Sequence, residues 1–193
     1  MTHTDREAEI EALGAQLGMP ERRRCALHID RETYEWWTHI KPLRRGEVVL
    51  LIRRQNGNCI LHSKDFYPAG TVRLPSGGLK KSESLLDAAY REAAEETGLQ
   101  VVVERFLAVV DFEFHFGNQV IDFASYLFLL SETGGELKTQ DVDERICGFS
   151  EVPLEELSLV AECLERLPSE WRDWGCFRSY AHRLAAELLS EPG

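Results

Sequence analysis

Glu92, Glu95 and Glu96 stand at i, i+3 and i+4 spacing, so on a helix their carboxylates are close neighbours that repel one another unless something offsets them. Two carboxylates about 6 Å apart repel by roughly 2 to 3 kcal/mol at an effective dielectric of about 20. Magnesium is the natural counterweight: it is hard, prefers oxygen, and takes a few carboxylates together with water and substrate phosphates. A cation held this way can also hold a pyrophosphate, which lets an acidic protein bind an anionic substrate. Taken alone, an E-x-x-E-E run is more often a solvated helix face, and its setting has to decide.

The setting is well marked. Ser84 can cap a helix with Asp87 as reciprocal partner, and Gly98 fits the left-handed position that ends it. At roughly 100° per residue, Leu86, Ala89, Tyr90, Ala93 and Thr97 form a face for packing on a sheet, while the three glutamates form another. Ala88 shares the acidic arc and has no bulk to obstruct a ligand. Arg91 can pair with Asp87 or Glu95, and Glu83, just before the cap, can also reach an arginine. Pro75-Ser76-Gly77-Gly78 supplies a bend whose backbone can approach metal and phosphate.

Elsewhere, Thr4-x-x-Glu7 opens an amphipathic helix carrying Ile10, Leu13 and Leu17, read as a packing or dimerisation element, which Gly18 and Pro20 stop. A second helix is expected over 30–40, closed by Pro42 and Gly46. Val48 to Ile52 and Cys59 to Leu61 around Asn56-Gly57 predict a hairpin with a buried first strand. Thr71 to Leu74 reads as a short strand. Val101 to Phe116 and Gln119 to Leu130 form a longer hairpin around Gly117-Asn118, Thr133-Gly134-Gly135 turns the chain, and Ile146 to Phe149 gives a last strand before helical patterning resumes at Pro153. The order predicts an α/β fold, a mixed sheet sandwiched by helices. The division expected is an N-terminal helical extension over 1–45 and a second unit over 46–193.

The 193 residues include 22 basic and 33 acidic ones, a net charge of −11, which argues against a nucleic-acid groove or an anionic membrane surface. Five scattered cysteines without a C-x-x-C pair argue against zinc or a disulfide framework, and the polar N-terminus lacks a signal-peptide core. The expectation is a cytoplasmic protein with reduced thiols.

The segment from Gly77 to Leu99 resembles the Nudix box, G-x5-E-x7-R-E-U-x-E-E-x-G-U with U apolar. Gly77, Glu83, Arg91, Glu92, Ala93, Glu95, Glu96, Gly98 and Leu99 fill all nine specified positions over twenty-three residues. Ala93 is small for its apolar slot, and Ser76 replaces a glycine often seen before the box. The resemblance implies an α/β/α Nudix sandwich over about 46–193. It also implies hydrolysis of a nucleoside diphosphate linked to another moiety, with magnesium or manganese required. By the same resemblance Glu92, Glu95 and Glu96 ligate metal, joined by a backbone carbonyl near Ser76 or Gly77, and Glu83 and Arg91 form a structural ion pair.

The general base comes from the box or from a later loop, where Glu144 is the candidate. The substrate is a small nucleotide-type molecule. Submotifs are absent: His115 stands where a proline would indicate ADP-ribose, and His115, Phe116 and Gly117 occupy positions where a tyrosine would indicate dinucleoside polyphosphates. Arg53, Arg54 and Arg73 can meet phosphates, and Phe112, Phe114, Phe116, Trp36 and Trp37 can stack on a base. The competing reading is a catalytically silent binding or sensor module, which would not need all three glutamates. An isopentenyl diphosphate isomerase needs a cysteine stretch that the chain lacks. The terminal helices offer surfaces for a homodimer.

Overall fold

Val48, Leu50 and Ile52 turn to one side of strand β2 (Gly46–Arg53) and Val49 and Leu51 to the other, so an unbroken apolar run is buried on both faces. The strand lies inside a seven-stranded mixed sheet, in a computed structural model that describes residues 3–190. The other elements are α1 (His3–Leu17), β1 (Glu21–His28), α2 (Arg31–Ile40), β3 (Cys59–Lys64), β4 (Ser76–Leu79), α3 (Leu85–Thr97), β5 (Leu99–Phe116), β6 (Gln119–Gly135), β7 (Ile146–Val152), α4 (Leu157–Glu165) and α5 (Arg172–Ser190). Their order in the sheet is β1-β5-β6-β2-β3-β7, with β4 paired to β2. The pairs β1/β5 and β2/β6 are parallel and the remainder antiparallel.

Helices cover both faces, as the sequence pattern predicts. On one side Ile10 and Leu13 of α1 and Leu85, Ala89 and Ala93 of α3 pack on Val48, Leu50 and Ile52. On the other, Trp37 of α2, Leu157 and Leu164 of α4, and Phe177 and Leu184 of α5 pack on Val49, Leu51 and Phe114. Ile10 and Leu13 of the apolar stripe of α1 are thereby buried within the chain. Among the described residues no helix is long and apolar enough to cross a membrane.

Three local expectations are corrected and one strand is added. Glu21–His28, where the sequence pattern marks no element, is a strand that pairs along β5 from Glu21↔Ala108 to His28↔His115. Thr71 to Leu74 is not a strand: only Arg73 bridges to His62, and the strand begins at Ser76, where the backbone pairs with Val49 of β2. Thr133 to Gly135 does not turn the chain but extends β6, with Gly135 opposite Leu99. On α3 the packing face is rotated: Leu85 and Ala88 are buried, whereas Tyr90 is 42% exposed and its hydroxyl accepts from Val103 N. The expected cap by the Thr4 side chain lies outside the described residues.

Candidate active site

α3 is held at both ends by the residues its sequence marks out. Ser84 Oγ accepts from Asp87 N at 3.1 Å. Gly98 adopts φ 69°, and a Cβ there would meet Lys138 O at 2.5 Å. With the helix so fixed, Glu92 and Glu96 turn beneath β4, at 4% and 0% exposure, while Glu95 stands half-open on the rim. The fit against β4 is close enough to require glycine: a Cβ on Gly77 would lie 1.8 Å from Glu92 Cδ. Ser76 N donates to Glu96 Oε2 at 2.8 Å.

Arg91 ties the corner together. Its Nε and Nη2 donate to Glu83 at 2.6 and 2.9 Å, Nη2 also to Gly78 O at 3.1 Å, and Nη1 to Glu92 and Glu95 at 2.7 and 2.8 Å. Those hydrogen bonds from Arg91 hold Glu83 below the usual carboxylate range, with desolvation opposing. Burial acts oppositely on Glu92 and pushes it up against the pull of Arg91. Glu96 is pushed up to about 7 by burial, although Arg73 and Lys64 oppose the shift. Its Oε1 has no hydrogen-bond partner and lies 3.5 Å from Lys64 Nζ and 3.8 Å from Arg73 Nη2.

Among the described residues no three acid, histidine or cysteine side chains already form a metal-ligating array; Arg91 Nη1 lies between Glu92 and Glu95 instead. The donor set nevertheless suits a hard divalent cation. It is made of carboxylate and carbonyl oxygens, one buried carboxylate oxygen lacks any hydrogen-bond partner, and the side-chain-free backbone of Gly77 brings β4 against Glu92.

Glu92, Glu95 and the backbone of Ser76 to Gly78 border a cleft of about 590 Å³, with Glu96 buried behind its wall. Glu144 reaches it, with Oε2 2.5 Å from Lys64 Nζ. Arg73 also reaches it, but its Nε and Nη1 donate to Tyr67 Oη, Leu74 O and Ser76 Oγ at 2.7 to 2.8 Å and its Nη2 faces Glu96, so it braces the floor. Arg53 does not line the cleft; it donates to Glu104 at 2.7 Å, and Arg54 donates to Glu132 and Glu151. Phe114 is fully buried and stacked on Trp37 at 4.4 Å, which leaves no ring face for a base. Trp36, by contrast, lines the cleft and is 46% exposed.

Sequence reasoning missed a second layer. Arg178 of α5 donates to Glu47 Oε2 at 2.8 Å and Ser76 Oγ at 3.0 Å, and Ser125 Oγ donates to Glu47 at 2.9 Å. His182, one turn on, accepts from Leu74 N at 3.0 Å through Nε2 while Nδ1 faces Arg178 O at 2.9 Å. Burial lowers its pKa to about 4, so it stays neutral with the proton on Nδ1. A buried Glu47 at the start of an apolar strand is the one local signal that a distant cation had to meet it.

A family profile, the NUDIX domain, matches residues 42–174. The chain belongs to the Nudix hydrolase family, a class of pyrophosphohydrolases. Among solved structures it is similar to a UDP-X diphosphatase, at 20% identity and TM-score 0.51 over 83% of this chain and 72% of that one. It is also similar to a MutT NUDIX hydrolase from Burkholderia pseudomallei, at 25% identity and TM-score 0.49 over 76% and 98%. An ADP-ribose pyrophosphatase from Streptococcus suis matches at 17% identity and TM-score 0.48 over 76% and 92%.

Proposed function

We propose that the protein hydrolyses the pyrophosphate bond of a nucleoside diphosphate linked to another moiety, with water attacking phosphorus in the cleft between α3 and β4. The observation that carries this reading is Glu96: a fully buried carboxylate with one oxygen that accepts no hydrogen bond, on the helix of a segment that fills every specified position of the box. Glu92, Glu95, Glu96 and the Gly77 carbonyl would hold magnesium or manganese, which when bound neutralises charge on the anhydride oxygens. Arg91 keeps its bidentate pairing with Glu83 in this scheme and releases Glu92 and Glu95. Glu144, at the mouth of the cleft, takes the proton from the attacking water, and Lys64 positions its carboxylate. Arg44 and Lys80, which also line the cleft, are the cations best placed to steer an anionic substrate into it. A small-molecule nucleotide in a cytoplasmic setting completes the reading.

The test is an assay with magnesium or manganese over nucleotide sugars, ADP-ribose, dinucleoside polyphosphates and nucleoside triphosphates. Metal-dependent release of a nucleoside monophosphate is expected from at least one class. Binding without turnover across the panel would instead establish a silent module.

A further inference from the structure

All four tryptophans of the chain, Trp36, Trp37, Trp171 and Trp174, line one cavity of about 370 Å³ beside the cleft. They come as two edge-to-face pairs: Trp36 and Trp37 of α2 with centroids 4.9 Å apart at 82°, and Trp171, just before α5, with Trp174 in its first turn at 5.3 Å and 86°. Trp36 is 46% exposed, although a large aromatic side chain is ordinarily covered. The charged residues of the lining are Asp30, Glu32 and Glu170, with no lysine or arginine among them. Arg172, next to the lining residue Trp171, pairs with Asp173 at 2.7 Å and also acts on Asp30, while Arg31 lies over the Phe116 ring. Asp30 caps α2 by accepting from Thr33 N at 2.8 Å, and that hydrogen bond holds its carboxyl below the usual range.

Indole faces attract cations through their quadrupole, and carboxylates at the rim add to that attraction. A nucleobase would meet a poorer match. The side-chain donors of the lining are the indole N–H groups and the Thr33 hydroxyl, so base carbonyls find few partners. We propose that this cavity is a subsite for a quaternary or protonated ammonium group carried by the moiety beyond the diphosphate. The placement supports the link, because Trp36 and Trp174 line both this cavity and the cleft. As a statement about substrate class, the inference rests on the hydrolase reading above; as a statement about binding, it does not.

Because every tryptophan lines the cavity, tryptophan fluorescence reports on it, and the Glu170→Gln and Trp36→Leu variants separate it from the cleft that Trp36 and Trp174 also line. The full-length protein is titrated with choline, with its uncharged isostere 3,3-dimethyl-1-butanol, with sodium chloride at matched ionic strength, and with guanosine. The expected result is a saturable change with choline, with the isostere at least about tenfold weaker and salt inactive. Glu170→Gln and Trp36→Leu, both at exposed positions, should each weaken choline at least about threefold. Equal responses to choline and the isostere, saturation by guanosine with none by choline, or no response to choline would each overturn the proposal. The titration needs neither metal nor turnover. A missing choline response therefore leaves hydrolysis standing, and a missing hydrolysis leaves the cation site standing.

Discussion

Two helices meet at the cleft, and they are built by different rules. α3 carries its acids at a spacing of one turn, with its cap, its stop and its neutralising Arg91 all inside twenty-three residues. α5 brings Arg178 and His182 to the same corner from about a hundred residues away, where they secure Glu47, Ser76 and the backbone of Leu74. The first arrangement is chemistry written locally. The second is support written through the fold, and it consists of buried polar groups whose value appears only when a partner is removed.

That division predicts different failures. Glu96→Gln and Glu92→Gln on α3 should each lower turnover about a hundredfold or more, with the fold intact by circular dichroism. Lowered stability with turnover near that of the unmodified protein would place the acids in the supporting role instead. For α5 the effects should appear in stability. His182 has a folded pKa of about 4 against an ordinary 6.5, so its contribution is whole above about pH 6.5 and declines as pH falls toward the folded value. Denaturation at pH 7 and pH 5 should differ by about 2 kcal/mol from this group alone. His182→Gln, which keeps an acceptor for Leu74 N, should flatten that difference; an unchanged slope would assign it elsewhere.

Arg178→Met should cost about 2 kcal/mol at neutral pH, toward the low end for a buried pair because the guanidinium is partly exposed while Glu47 is not. The double variant with Glu47→Gln should recover part of the loss in urea melts. Smallest of all, Arg183→Ala breaks an open pair with Glu165 on the outer side of α5 and should change stability by no more than about 0.5 kcal/mol.

Legibility followed the same line. α2, α3 and the long β5–β6 hairpin follow from capping residues, glycines and periodicity, because those signals act over a few residues. β1 escaped notice because its exposure alternates at the sheet edge and Arg22, Arg23 and Arg24 mask the pattern. β4 reads as a bend in the sequence because Ser76-Gly77-Gly78 has poor strand propensity. Pairing with β2 overrides that, and Gly77 is there to admit Glu92. Phe114 and Arg53 were offered to the substrate by residue type alone. Phe114 went to the core and Arg53 to Glu104, choices made by neighbours distant in sequence. The acids of the site and their local partner Arg91 were legible, whereas Lys64 and Arg178 were not, having no flanking motif to mark them.

The central claim, that the acids of α3 hold a divalent cation, is tested most directly by titrating manganese into the protein and into Glu96→Gln, with Glu162→Gln as a surface control. The account predicts binding to the unmodified protein and to the control, and affinity at least about tenfold weaker in Glu96→Gln. Manganese binding unchanged by the loss of Glu96 would contradict it.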